Sequence, residues 1–178
     1  CPSLKFIGRG GVGMDNIDVE YGRSKGITVN NTPAASSQSV AELVLAQMLS
    51  SSRFTHWSNQ EMPEKGASEF KVLKKKYAKG VELRGKTLGI IGFGNVGERF
   101  SEIAIALGMN VSVYSESFTS RKNNYPNINN LSLNDLISQS DIVSFHCKPP
   151  KDGKSLISLN ELKMMKAVNV IASKFDVK

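Results

Sequence analysis

Short apolar runs alternate along this chain with stretches in which apolar residues recur at helical spacing. Residues 4–8, 27–30, 88–91, 110–114, 141–145 and 168–172 each read as a short strand. Between them the spacing predicts helices over 19–25, 38–53, from Val96 to Leu107, from Ser132 through Ile137, and from Ser158 to about Lys166. Their punctuation is chemical. Asp18 supplies a cap before the first helix and Gly26 a stop after it; Ser36, Ser37 and Ser39 are candidate caps for the second. Gly108 stops the third, Ser132 with Asp135 opens the fourth, and Ser158 with Glu161 forms a capping box for the last. The helix over 38–53 is apolar around most of its circumference, which predicts burial on all sides, against another subunit or domain. From Phe54 to Arg84 the pattern weakens and charge rises, predicting a helix end and then a surface excursion in which Trp57 is a packing anchor. Residues 115–130 read as a polar loop. Alternating strands and helices of this length argue an α/β fold with a doubly wound parallel sheet, whose ligands sit at the C-terminal strand ends.

One of those strand ends carries a motif. The run Leu88-Gly-Ile-Ile-Gly-Phe-Gly-Asn-Val-Gly97 places Gly92, Gly94 and Gly97 in the spacing G-x-G-x-x-G, after a strand and at the start of a helix. Val96, Phe100, Ile103, Ala104 and Leu107 then share one helix face. In that setting the first glycine permits a tight turn, the second lets backbone approach a pyrophosphate, and the third lets helix and strand pack closely. The helix N-terminus offers N–H groups and a partial positive charge to the phosphates. A second strand arrives at the distance a β-α-β unit needs. The stretch therefore predicts dinucleotide binding.

Composition changes this picture little. The 178 residues are 40% hydrophobic and 22% charged, with length for one domain or one domain and part of another. No run is long enough to span a bilayer and no signal peptide is visible, so no membrane partner is expected and a cytoplasmic location is the simplest reading. Two cysteines, Cys1 and Cys147, and two histidines, His56 and His146, lie in no metal-like spacing. A net charge of +7 suits an anionic nucleotide or a phosphorylated substrate. The densest basic run, residues 71–79, lacks aromatic interleaving, so nucleic acid is not an expected partner.

Three ordered runs resemble a known family: residues 4–18, containing Gly8-Arg-Gly-Gly-Val-Gly13; residues 31–42, Asn-Thr-Pro-Ala-Ala-Ser-Ser-Gln-Ser-Val-Ala-Glu; and residues 82–97, ending in the glycine motif. The chain resembles the D-isomer-specific 2-hydroxyacid dehydrogenases from about Leu4 to Lys166, and within them the phosphoglycerate-oxidising members most. The resemblance implies a Rossmann-like NAD-binding domain over 35–178, incomplete at its C-terminus, after a remnant of a flavodoxin-like substrate domain over 1–34. It implies NAD-linked oxidation of a small 2-hydroxy acid, here 3-phosphoglycerate to 3-phosphohydroxypyruvate at the start of serine biosynthesis, in a homodimer joined through the nucleotide domains. Its substrate loop falls on Arg9, Gly10, Gly11, Val12 and Gly13, with Val12 near the nicotinamide. Its cofactor positions fall on Gly92, Gly94, Asn95, Val96, Gly97, Ser115, Glu116 and Cys147, the last more in packing than in chemistry.

Two positions depart from the family pattern. An Asp that binds the adenosine ribose is replaced by Ser115, followed by Glu116. Glu116 serves one position late, or Ser115 with Arg121 and Lys122 admits a ribose 2′-phosphate, which leaves NADP as the alternative cofactor. The family's Asn-x-x-Arg-Gly motif meets Ser173-Lys-Phe-Asp-Val-Lys178, with Asp176 at the Arg position and Lys174 a poor stand-in. The family's catalytic Arg, Glu and His have no counterparts here, and His146 reads as structural. No catalytic residue is therefore assigned, and the chain reads as the middle of a longer enzyme, expected to turn over no substrate alone. The alternative is a non-catalytic nucleotide-binding or dimerisation remnant.

Overall fold

In the computed structural model, residues 1–148, 150 and 153–166 are described in full, and residues 169–172 by their backbone. Two parallel sheets form. The smaller pairs β1 (Phe6–Arg9) with β2 (Thr28–Asn31), joined by helix α1 (Val19–Ser24). The local signals behave as their chemistry dictates. Asp18 accepts the Tyr21 N–H, and Gly26, at φ 72°, turns the chain into β2.

The larger sheet has the order β5-β4-β3-β6-β7, all parallel, from β3 (Thr87–Ile91), β4 (Asn110–Tyr114), β5 (Asn129–Asn130), β6 (Ile142–Phe145) and β7 (Asn169–Ala172). The α/β doubly wound architecture is as the alternation predicts. Strand periodicity explains its two cores. Leu88 and Ile90 point to one face, where helix α4 (Asn95–Ala106) covers them with Phe100 and Ala104. Ile91 points to the other face and packs with Val143, Leu136 and Ile137, the last two from α5 (Leu133–Gln139). Each fully buried Leu, Ile or Phe contributes roughly 1.5–3 kcal/mol.

The helix α2 (Ser37–Arg53) corrects one expectation. Its buried stripe runs Ser37, Ala41, Val44, Met48, Ser52, the three apolar members joining the α4 core, while Leu43 and Leu49 stay exposed. The apolar circumference read from the sequence is thus split into one covered and one uncovered face.

The segment after it corrects another. Phe54, at φ 56°, ends α2, and Thr55–Tyr77 is helical rather than an irregular excursion. This element, α3, breaks its helical dihedrals at Glu69 and folds back there. Lys76 Nζ lies 2.8 Å from Glu61 Oε2, and the Tyr77 hydroxyl donates to the same oxygen at 2.6 Å. Fifteen residues of straight helix would hold these groups roughly 22 Å apart, so the ion pair exists only because the helix doubles on itself. Trp57 is not the buried anchor expected: it is about half exposed, with its ring in T-shaped contact with those of Phe54 and His56.

The predicted polar loop over 115–130 is also more than a loop. It buries Phe118 and Ile128 completely and contributes β5. Helix α6 (Leu159–Met164) starts on the predicted capping box, with Ser158 N–H donating to Glu161 at 2.7 Å. No helix among the described residues is long and apolar enough to cross a membrane.

Candidate functional site: a glycine turn facing a second glycine loop

The larger sheet reverses its winding at β3: β4 lies to one side of it and β6 to the other. The register sets Ile91 beside both Tyr114 and Phe145, so three strands end together and open a crevice at their C-terminal ends. The glycine turn fills the base of that crevice. Gly92, at φ 93°, donates its N–H to the Tyr114 carbonyl at 2.9 Å. A Cβ there would stand 2.8 Å from the His146 carbonyl oxygen and the Cys147 nitrogen. A Cβ on Gly97 would overlap the Gly92 carbonyl oxygen. The fold itself requires these two glycines.

Gly94 is different. Its φ is −86°, an ordinary value, and a Cβ there would meet nothing within 4 Å. It is the N-cap of α4, and no side chain caps the helix. Asn95 and Val96 follow in the first turn, where backbone N–H groups have no intrahelical acceptor. The space a Cβ would enter is open in front of those donors, and an anion is what such an end accepts. The residues present therefore fit a pyrophosphate.

A second glycine loop, residues 9–13, lies at the end of β1. Gly11, at φ 141°, donates its N–H to Thr32 Oγ1 at 2.9 Å and accepts the Thr32 N–H at 3.2 Å. The Asn31 side chain donates to the Val12 carbonyl at 2.7 Å. The loop is thereby laced to the end of β2, and Val12 projects half-exposed. Arg9 donates from Nη1 to the Gly10 carbonyl at 2.6 Å, while its buried Nε has no hydrogen-bond partner. Gly10 and Gly13 flank Gly11 and Val12, and a Cβ at Gly10 would meet nothing. The two loops are linked through their neighbours, because Asn95 Nδ2 donates to the Pro33 carbonyl at 3.3 Å, next to Thr32.

At the end of β4, Ser115 exchanges two hydrogen bonds with the Asn130 side chain, at 3.2 and 3.1 Å. Its hydroxyl meets Ser117 Oγ at 3.0 Å, and Ser117 donates to the Phe93 carbonyl at 3.3 Å. Glu116 is exposed at the start of a 3-10 turn. Arg121, which with Lys122 is one of the two cations that the sequence offered near Ser115, is paired with Glu98, on the first turn of α4. Tyr125 donates to Glu98 at 3.0 Å and to Glu102 at 2.8 Å. Burial, then those two carboxylates, push its hydroxyl pKa well above the usual value. Neither Glu98 nor Tyr125 was among the candidate residues, since the contact spans 27 residues of sequence.

His146 sits beyond β6, its Nε2 2.9 Å from the buried Ser144 hydroxyl and its ring 5.6 Å from that of Phe100. Burial lowers its pKa to about 4, so it is neutral at pH 7. Cys147, half-buried beside the Ile91 core, has its thiol pKa raised by burial and is not activated. Lys174 and Asp176 lie outside the described residues.

Residues 45–172 match the family model of the D-isomer specific 2-hydroxyacid dehydrogenase NAD-binding domain. The chain belongs to this family. Its members are NAD-dependent dehydrogenases of 2-hydroxy acids, and this segment is their NAD-binding domain. A hydroxypyruvate reductase of Thermotoga maritima is 38% identical over 164 residues, which are 92% of this chain and 51% of that protein. A D-3-phosphoglycerate dehydrogenase of Methanocaldococcus jannaschii is 36% identical over 172 residues, 96% of this chain and 32% of that protein. The solved structure of an acyclic imino acid reductase in complex with NADPH and D-Arg superposes with a TM-score of 0.77 at 30% identity, covering 95% of this chain and 52% of that one. The chain thus spans about half, or less, of the length of these relatives.

Proposed function

We propose that this chain carries the NAD site and one wall of the substrate site of a D-2-hydroxyacid dehydrogenase. In this reading residues 35–178 are the nucleotide domain and residues 1–34 belong to the substrate domain. The observation that carries it is the placement of Gly94: an open, uncapped helix N-terminus, tied through Asn95 to the segment that anchors the second glycine loop. NAD, when bound, supplies the hydride acceptor. The chain's residues supply binding and orientation. Gly94, Asn95 and Val96 meet the pyrophosphate through backbone N–H groups, and Gly92 and Gly97 shape the turn. Ser115 and Glu116 meet the adenosine ribose. Val12 packs on the nicotinamide side, with Cys147 against the opposite wall. The N–H groups of Gly10, Val12 and Gly13 hold the substrate carboxylate, which Arg9 attracts, while Gly11, whose N–H is given to Thr32, fixes the shape of the loop.

The substrate we favour is 3-phosphoglycerate, oxidised at the entry to serine biosynthesis in the cytoplasm. A net charge of +7 and the relatives that act on phosphoglycerate support it. The higher identity to a hydroxypyruvate reductase supports a second reading, reduction of an unphosphorylated 2-oxo acid. Binding linkage separates the two. NADH is titrated into the chain with 3-phosphohydroxypyruvate or hydroxypyruvate present. We expect the phosphorylated acid to tighten NADH binding several-fold. Tightening by hydroxypyruvate alone would transfer the proposal to the reductase reading. The remaining part of the proposal is assembly: a homodimer formed by the uncovered apolar residues of α2 and α3, among them Leu43, Trp57, Phe70 and Val72.

A further inference from the structure

The structure assigns to Glu98 the choice between the two nicotinamide dinucleotides, exercised by holding Arg121. The inference rests on the reading of residues 92–97 as a dinucleotide site. A dinucleotide on such a turn lays its adenosine ribose at the end of the following strand, where an acidic residue favours free hydroxyls and an arginine accommodates a 2′-phosphate. Here the strand ends at Tyr114, and Ser115 after it brings no charge. Glu116 next to it favours free hydroxyls, so admission of a 2′-phosphate depends on whether Arg121 is available to offset it.

Those groups are delivered to the glycine turn by hydrogen bonds. Ser117 donates to the carbonyl of Phe93, between Gly92 and Gly94, and so pins the chain after β4 against the turn. Glu98 donates its backbone N–H to the Gly94 carbonyl at 2.9 Å, one helical turn into α4. The segment leaving Ser117 then brings Arg121 back onto Glu98 Oε2, while the Tyr125 hydroxyl donates to Oε1 at 3.0 Å. Both carboxylate oxygens are engaged, and Arg121 Nη1 is committed to Glu98. The paired side chains remain 33% and 26% exposed, so a ligand phosphate can approach them from solvent.

The electrostatic consequence is direct. With Glu98 in place, an incoming 2′-phosphate meets a neutralised pair and a neighbouring carboxylate. With Glu98 uncharged, it meets a guanidinium whose donors match phosphate in a bidentate fork. Tyr125 reinforces the held state, because its hydroxyl hydrogen-bonds Glu98 Oε1 at 3.0 Å. The scaffold itself tolerates the phosphate, since the related imino acid reductase holds NADPH.

The test is a calorimetric titration of the chain and its variants with NADH and NADPH, with thermal melts to establish folding. We expect the parent chain to prefer NADH. Glu98→Gln should tighten NADPH by about tenfold, the gain of one charge-assisted phosphate contact, with NADH changed less than twofold. That gain should vanish in Glu98→Gln with Arg121→Ala. Arg121→Ala alone should leave NADPH affinity within twofold, because the parent Arg121 is already occupied, and this variant serves even where Glu98→Gln folds poorly. No NADPH gain in Glu98→Gln, a gain that survives the double change, or a tenfold NADPH loss in Arg121→Ala overturns the inference while leaving the dinucleotide site standing. A folded parent chain that binds neither dinucleotide overturns the site and this inference together.

Discussion

Three glycines in one motif do three different jobs, and substitution separates them. At Gly92 a side chain meets positive φ and the backbone of His146 and Cys147 at 2.8 Å. Neither can retreat without moving β6. Gly92→Ala should therefore cost roughly 2 kcal/mol or more in a urea unfolding titration. A change of less than about half that would show that the turn relaxes. At His146 the prediction is one of pH. Burial holds the folded pKa at about 4, below the ordinary 6.5, so the unfolded chain binds the extra proton between those values. Stability is full above pH 6.5 and falls as the pH drops toward 4, by about 2 kcal/mol, discounted because the ring is not wholly enclosed. His146→Gln should flatten that limb of the profile. An unchanged slope would assign it to other groups.

Elements were legible in the sequence where their determinants are local. The capping residues Asp18, Ser132 and Ser158 announce helix starts within three residues, and each accepts a backbone N–H of the first turn. Ser132→Ala should accordingly lower stability by about 1 kcal/mol, measured by thermal unfolding; no effect would mean that α5 is held by Leu136 and Ile137 alone. The glycine motif was legible for the same reason. What escaped was non-local. Pro63 and Gly66 look like helix breakers, yet α3 continues past them and is closed by the Glu61–Lys76 pair across a fold that no window of sequence reveals. Residues 115–130 look polar, but Phe118 and Ile128 are buried against partners on α4 and β4. The tie between Arg121 and Glu98 belongs to the same class.

On the scale of the whole molecule, apolar side chains remain uncovered in several regions, two of which stand out. Leu4, Phe6 and Tyr21 flank the two-stranded sheet, and Leu43, Leu49, Trp57, Phe70 and Val72 mark α2 and α3. Exposed apolar groups of this number need a partner surface. A homodimer through α2 and α3 should appear as twice the chain mass in sedimentation equilibrium, and Val72→Glu, at a position 63% exposed, should shift it toward monomer without lowering the melting temperature of the monomer. A monomeric parent chain would remove the dimer from the proposal.

The dinucleotide site itself is tested most directly at Gly94. A valine there has ordinary backbone angles and open space, so the fold should accept it, with a melting temperature within about two degrees of the parent. Its side chain would stand where the pyrophosphate must approach the α4 N-terminus. We would titrate NADH into the parent and into Gly94→Val by calorimetry. Saturable binding to the parent, weakened at least tenfold in a variant that melts normally, is the result expected. Equal binding by both folded proteins would place the cofactor elsewhere and contradict the site.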